Sequence, residues 1–105
     1  MSHILIASSH EGARSAIRQH FGADHKVEVV LDKEKCLEMF RRRRYEFLFI
    51  DVTLLGGTLS VKENSVALQP FQQAYPTAPI IVMSSQEQIR EAVMTVKAGA
   101  HNYLT

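Results

Sequence analysis

"FLFIDVTLLGG", residues 47–57, is the stretch that decides the fold. Four apolar residues in a row, Phe47 to Ile50, lead into a carboxylate at Asp51, and a glycine pair follows at Gly56 and Gly57. A half-buried strand would alternate apolar and polar residues. This run does not alternate, so both its faces are expected to be buried. A strand covered on both faces implies a sheet between layers of helices. Asp51 then ends the strand at the mouth of the sheet, where open α/β sheets build their sites.

Outward from this strand one pattern repeats. "HILIA" (3–7) is a short β-branched, apolar run. From Glu11 to Phe21, the residues Ala13, Ala16, Ile17 and Phe21 fall at helical spacing, with Arg14, Arg18 and Gln19 between them. Ser8 or Ser9 can cap this helix, and Gly22 follows its end. "KVEVVL" (26–31) reads as the next strand. "DKEKCLEMFRRRR" (32–44) reads as a helix capped by Asp32, with Cys36, Leu37 and Phe40 facing inward. "YEFLFID" (45–51) is the third strand. Residues 52–69 predict a loop, followed by a short helix within 66–75, where Pro70 suits a first turn. "APIIVMSS" (78–85) is a fourth strand. "QEQIREAVMTVKAGA" (86–100) is an amphipathic helix with Ile89, Val93 and Val96 on its core face and Gly99 at its end, and "HNYLT" (101–105) opens a fifth strand. Strands separated by helices pair in parallel through right-handed crossovers. The expected class is α/β: an open parallel five-stranded sheet with helices on both faces.

Composition narrows the function classes. At 105 residues one domain is expected, and 46% hydrophobic content supplies a core. No apolar run reaches the ~18 residues of a membrane span. The start, "MSHILIASSH", has no basic leader or cleavage site, so a cytoplasmic protein without membrane partners is expected. One cysteine, Cys36, makes no internal disulfide and fits that compartment. A net charge of +1 predicts no direct nucleic-acid binding. The arginine run 41–44 sits at a helix C-terminus, where the dipole favours cations. Four successive residues of a helix turn by ~100° each and cannot share a face.

Three segments carry a resemblance to a known family. "YEFLFIDV", "PIIVMSS" and above all "KAGAHNYLT" (97–105), in this order and spacing, resemble the receiver domains of two-component response regulators, over 3–105. The resemblance implies the flavodoxin-like receiver fold and phosphorelay signalling. It implies Asp51 as the phosphoacceptor for a sensor histidine kinase, and Ser84 and Tyr103 as the switch residues. It also implies a Mg²⁺ site made of Asp51 and the backbone carbonyl of Thr53. The departures are specific. Ser8 and Ser9 stand where the family usually has two acids, so the acidic pocket is degenerate and weak Mg²⁺ binding is expected. Leu54 and Leu55 replace a common Met-Pro pair. The family's fifth helix and a lysine would fall beyond Thr105. An N-terminal piece of a longer regulator is therefore expected, with a C-terminal effector of DNA-binding or ATPase type and possible homodimers.

Phosphoryl transfer to a carboxylate needs an in-line nucleophile and neutralised phosphoryl oxygens. Two neutral hydroxyls replace two charges, and losing one charged contact is worth ~1–3 kcal/mol of Mg²⁺ affinity. Glu11 or His10 could compensate, His10 by joining Asp51 around a transition metal; the plainer alternative is a helix-start acid and a solvated histidine. Two readings stay open: a phosphoaccepting switch, or a receiver-like interaction module that is not phosphorylated and works by constitutive contacts. An independent enzyme lacks a nucleophile–base pair and a Gly-rich phosphate loop.

Overall fold

The computed structural model describes residues 2–21 and 25–105, so the expected helix stop at Gly22 lies outside the described residues. The chain runs β1 (Ser2–Ala7), α1 (Glu11–Phe21), β2 (His25–Val30), α2 (Lys33–Arg42), β3 (Phe47–Asp51), α3 (Val61–Ala74), β4 (Ile80–Met83), α4 (Ile89–Lys97) and β5 (Asn102–Leu104). Two 3-10 turns, Val52–Leu55 and Gln86–Gln88, follow β3 and precede α4. The five strands form one parallel sheet in the order β2-β1-β3-β4-β5. The order reverses at β1, whose neighbours are β2 on one side and β3 on the other. That switch point opens a crevice at the carboxyl ends of β1 and β3.

The strand faces separate two cores. Leu5, Ala7, Leu48, Ile50, Ile80 and Val82 face Cys36 and Phe40 of α2, Leu68 and Phe71 of α3 and Ala92 of α4. Ile4, Ile6, Phe49 and Met83 face Ile17 of α1 on the other side. Helices thus cover both faces, and the unalternating run of β3 is explained: its residues pack into both layers. The α1 face stays partly open. Ala16, Ile17, His20, Phe21, Phe47, Phe49, Ile81 and Leu104 line an apolar groove of about 380 Å³ there.

Four expectations change. β2 ends at Val30, and Leu31 is exposed. The short helix expected within 66–75 is the 14-residue α3, beginning at Val61. Ser60 caps it by accepting from Glu63 N–H at 3.2 Å, while Thr58 Oγ1 donates to the Glu63 carboxylate at 2.8 Å. Ser60 and Glu63 have capping-box spacing, a start signal that outweighs Pro70. Pro70 lies inside the helix; the carbonyl it leaves without a donor belongs to Val66, on the exposed side.

The core face of α4 is also different. Ala92 and Thr95 are its buried residues, Val96 packs at the margin, and Ile89 is exposed. The reason is a polar lock. Thr95 Oγ1 lies 2.9 Å from Asn64 Oδ1 and 2.8 Å from Glu91 O, and Asn64 Nδ2 donates to Thr58 O and Ser60 O. Asn64 and Thr95 are fully buried, so each needs the other's hydrogen bond. Finally, α2 stops at Arg42, and Arg43 is extended (φ −142°, ψ 148°). Half of the arginine run is helical and half lies beyond the helix, and the helical argument against a shared face lapses: all four arginines line one groove.

Candidate functional site

Register places the site residues. Ala7 pairs with Ile50, so Ser8 leaves β1 beside Asp51. Asp51 pairs with Met83, so Ser84 leaves β4 on its other side. Alternation turns Asp51 to the α1 face, because Phe49 and Met83 of the same parity pack there. His10, Ala13, Asp51, Met83, Ser84 and Ser85 line a cleft of about 170 Å³.

Asp51 is 5% exposed and its two oxygens differ. Oδ1 accepts from the backbone N–H of Thr53 at 3.0 Å and from Thr53 Oγ1 at 2.9 Å, which caps the 3-10 turn. Gly56, with φ 103°, ends that turn, a conformation that favours glycine. Oδ2 accepts from Ser8 Oγ at 3.3 Å and lies 3.5 Å from His10 Nε2. His10 is largely exposed and lies at the start of α1; its backbone N–H donates to Ser8 Oγ at 3.0 Å. Ser84 Oγ is buried without a hydrogen-bond partner. A hydroxyl at this position can donate to an acceptor placed in the cleft.

Ser8, Asp51, Thr53 and Ser84 therefore come together as expected. Ser9 does not join them: it is exposed, and no hydrogen bond of its side chain occurs among the described residues. Tyr103 pairs with Val82 and packs with the α2–α4 core, outside the cleft lining. The sequence reading assigned Thr53 only a carbonyl. Its N–H and hydroxyl fix the Asp51 rotamer, an arrangement that a Thr two residues after a strand-ending Asp permits.

Mg²⁺ takes oxygen ligands, usually including one or two carboxylates. Among the described residues, Asp51 is the one carboxylate lining the cleft. No group of three or more His, Cys, Asp or Glu residues could hold a metal among the described residues. The Thr53 carbonyl already accepts from Gly56 N–H at 3.3 Å. The residues present thus offer a Mg²⁺ ion one charged ligand, Asp51, beside the neutral hydroxyl of Ser8. Glu11 is exposed at the first turn of α1, so of the two compensating candidates only His10 reaches Asp51.

The comparisons agree with this architecture. The putative response regulator NtrX-like of Rickettsia felis is 22% identical over 102 residues, 96% of this chain and 21% of that one. The chain thus spans about a fifth of the length of the curated relatives it matches. NtrX of Brucella abortus, solved with ATP, superposes with a TM-score of 0.77 at 20% identity, over 98% of this chain and 23% of that one. A response regulator from Burkholderia pseudomallei, with a phosphorylated aspartic acid, calcium ion and citrate, is 25% identical (TM-score 0.69; 99% and 59% covered). No described helix is long and apolar enough to cross a membrane. The family profile of the response regulator receiver domain matches residues 4–105, nearly the whole chain, and the chain belongs to that family: it is a receiver domain of two-component signal transduction.

Proposed function

We propose that Asp51 is the phosphoacceptor of this receiver domain and that Oδ2 is the attacking oxygen. The observation that carries this is the asymmetry of the carboxylate: Thr53 holds Oδ1 while Oδ2 faces a cleft in which Ser84 Oγ has no partner. Oδ2 attacks the phosphorus of a phosphohistidine on a sensor kinase. The P–N bond breaks, its electron pair stays on the imidazole nitrogen, and an acyl phosphate forms on Asp51. Ser84 Oγ donates to a phosphoryl oxygen, which satisfies the buried hydroxyl and draws the end of β4 toward the site. Ser8 Oγ and the His10 ring border the same oxygens. The domain modifies itself in this scheme and turns over no outside substrate. Mg²⁺ binds weakly at most before phosphorylation, since Ser8 offers a neutral oxygen where a charge would serve. A cytoplasmic setting, an effector domain beyond the receiver and homodimers belong to the same reading.

A second reading rests on one observation: Asp51 accepts three hydrogen bonds from neutral donors, as in a structural cap. On that reading the domain is an unphosphorylated interaction module. Intact-mass analysis after incubation with acetyl phosphate separates the two. A single phosphoryl adduct that is absent in Asp51→Asn supports the switch. No adduct from acetyl phosphate or from a verified kinase, with the fold intact, leaves the module.

A further inference from the structure

We propose that Arg41 and Arg44, the latter braced by Tyr75, form a docking groove for an acidic segment of a partner protein. The groove lies at the amino end of β3, whereas Asp51 closes its carboxyl end. Phe40, the four arginines 41–44, Ala74 and Tyr75 line it, with a volume of about 340 Å³. The break of α2 at Arg43 creates it by ending the helical rotation that would have scattered the four side chains.

Two of the four cations are already committed. Arg42 Nη2 meets Glu38 Oε1 at 3.1 Å, and Arg43 Nη1 meets Glu28 Oε1 at 3.1 Å. Arg41 and Arg44 make no ion pair among the described residues. The Arg44 guanidinium lies over the Tyr75 ring, 4.9 Å from its centroid. This contact restrains a side chain that would otherwise lose conformational freedom on binding. Dipole compensation accounts for arginines in the last turn of a helix. It does not account for Arg44, two residues past α2 and held by the C-cap residue of α3.

The surroundings select the kind of partner. An adjoining groove of about 440 Å³ is lined by Glu34, Leu37, Glu38, Arg41 and Arg42. A polyphosphate backbone of uniform charge would lie against Glu34 and Glu38. A peptide can place carboxylates at Arg41 and Arg44 and an apolar side chain at Leu37. The chain's net charge of +1 also offers no broad field to a nucleic acid. Exposed ion pairs of this kind fix orientation and weaken as salt rises.

The probe is a nine-residue peptide, Glu-Glu-Leu three times over, followed by NMR at low and high salt. Saturable shifts are expected at Arg41, Arg44 and Tyr75, smaller at high salt. The double variant R41E/R44E should lower affinity by about tenfold or more with unchanged circular dichroism. Absence of shifts at low salt overturns the proposal, as does undiminished binding by R41E/R44E. It is equally overturned if a single-stranded oligonucleotide of similar length binds the groove more tightly than the peptide. None of these outcomes depends on Asp51, so the groove and the phosphoacceptor stand or fall separately.

Discussion

Asp51 and Glu28 are both largely buried carboxylates of one sheet, and they are held in opposite ways. Glu28 on β2 takes Arg43 Nη1 at 3.1 Å on Oε1 and the Tyr45 hydroxyl at 2.7 Å on Oε2, with His3 Nδ1 3.9 Å away. Its charge meets a fixed cation, and both oxygens have strong donors. Asp51 has neutral donors from Thr53 and Ser8, and the ring near Oδ2 belongs to an exposed histidine. A cation opposite a carboxylate adds a Coulomb attraction that neutral donors lack. Glu28 is thus a brace between strands and the end of α2. Asp51 is held in place without being neutralised, the condition that an attacking oxygen requires.

The largest effect expected is on phosphorylation. Asp51→Asn should abolish the phosphoryl adduct completely, while Glu28→Gln should leave it unchanged; intact mass reads both. Stability should reverse that ranking. Glu28→Gln weakens charged hydrogen bonds and is expected to cost about 1–3 kcal/mol in urea unfolding, more than Asp51→Asn, whose amide oxygen still accepts from Thr53. Equal losses from the two variants would break the contrast.

Ser8→Asp sharpens it. A second carboxylate would face Asp51 Oδ2 where Ser8 Oγ now donates at 3.3 Å. The variant should lose about 1–3 kcal/mol without metal and regain much of it with Mg²⁺, so its Tm becomes metal-dependent while the parent's changes little. A parent Tm that rises as strongly with Mg²⁺ would show that one acid suffices.

A smaller effect belongs to alkaline pH. Burial, then the hydrogen bond to Glu28, raises the Tyr45 hydroxyl above its ordinary 10.0. Burial, then the Asp32 charge, pushes the Cys36 thiol from 9.0 up to about 12. Both groups keep their protons in the native state after the unfolded chain has lost them. Their contribution is full below about pH 9 and falls as pH rises beyond it. Tm should decline from pH 9 upward, and Tyr45→Phe should flatten the part above pH 10. In the native state Cys36 should resist alkylation at pH 8, because the thiolate is the reactive form.

Much of this was legible in the residues. The double-faced run 47–50, the apolar segments 3–7 and 78–85, and the helical spacing around Phe21 and Phe40 gave the layer order, because strand and helix periods are local properties. Asp51 could be placed at the mouth of the sheet for the same reason. The start of α3 was also readable, in Ser60 and Glu63, but Pro70 drew the boundary to the wrong place. The burial of Thr95 was not readable: it depends on Asn64, 31 residues away, and a polar pair that satisfies itself leaves no hydrophobic period. The arginine run misled because its geometry turns on one residue, Arg43, leaving the helix.

By itself, then, the sequence determined the element order, the parallel sheet and the position of one acid at a strand end, all of which follow from local periodicity and chain connectivity. Tertiary structure alone decided which donors meet that acid. Parallel register sets Ser8 and Ser84 on either side of Asp51, while the fold exposes Ser9 and brings His10 within 3.5 Å. Pairing across a sheet is a long-range arrangement, and hydrogen bonds between residues 43 positions apart exist only once the strands have aligned.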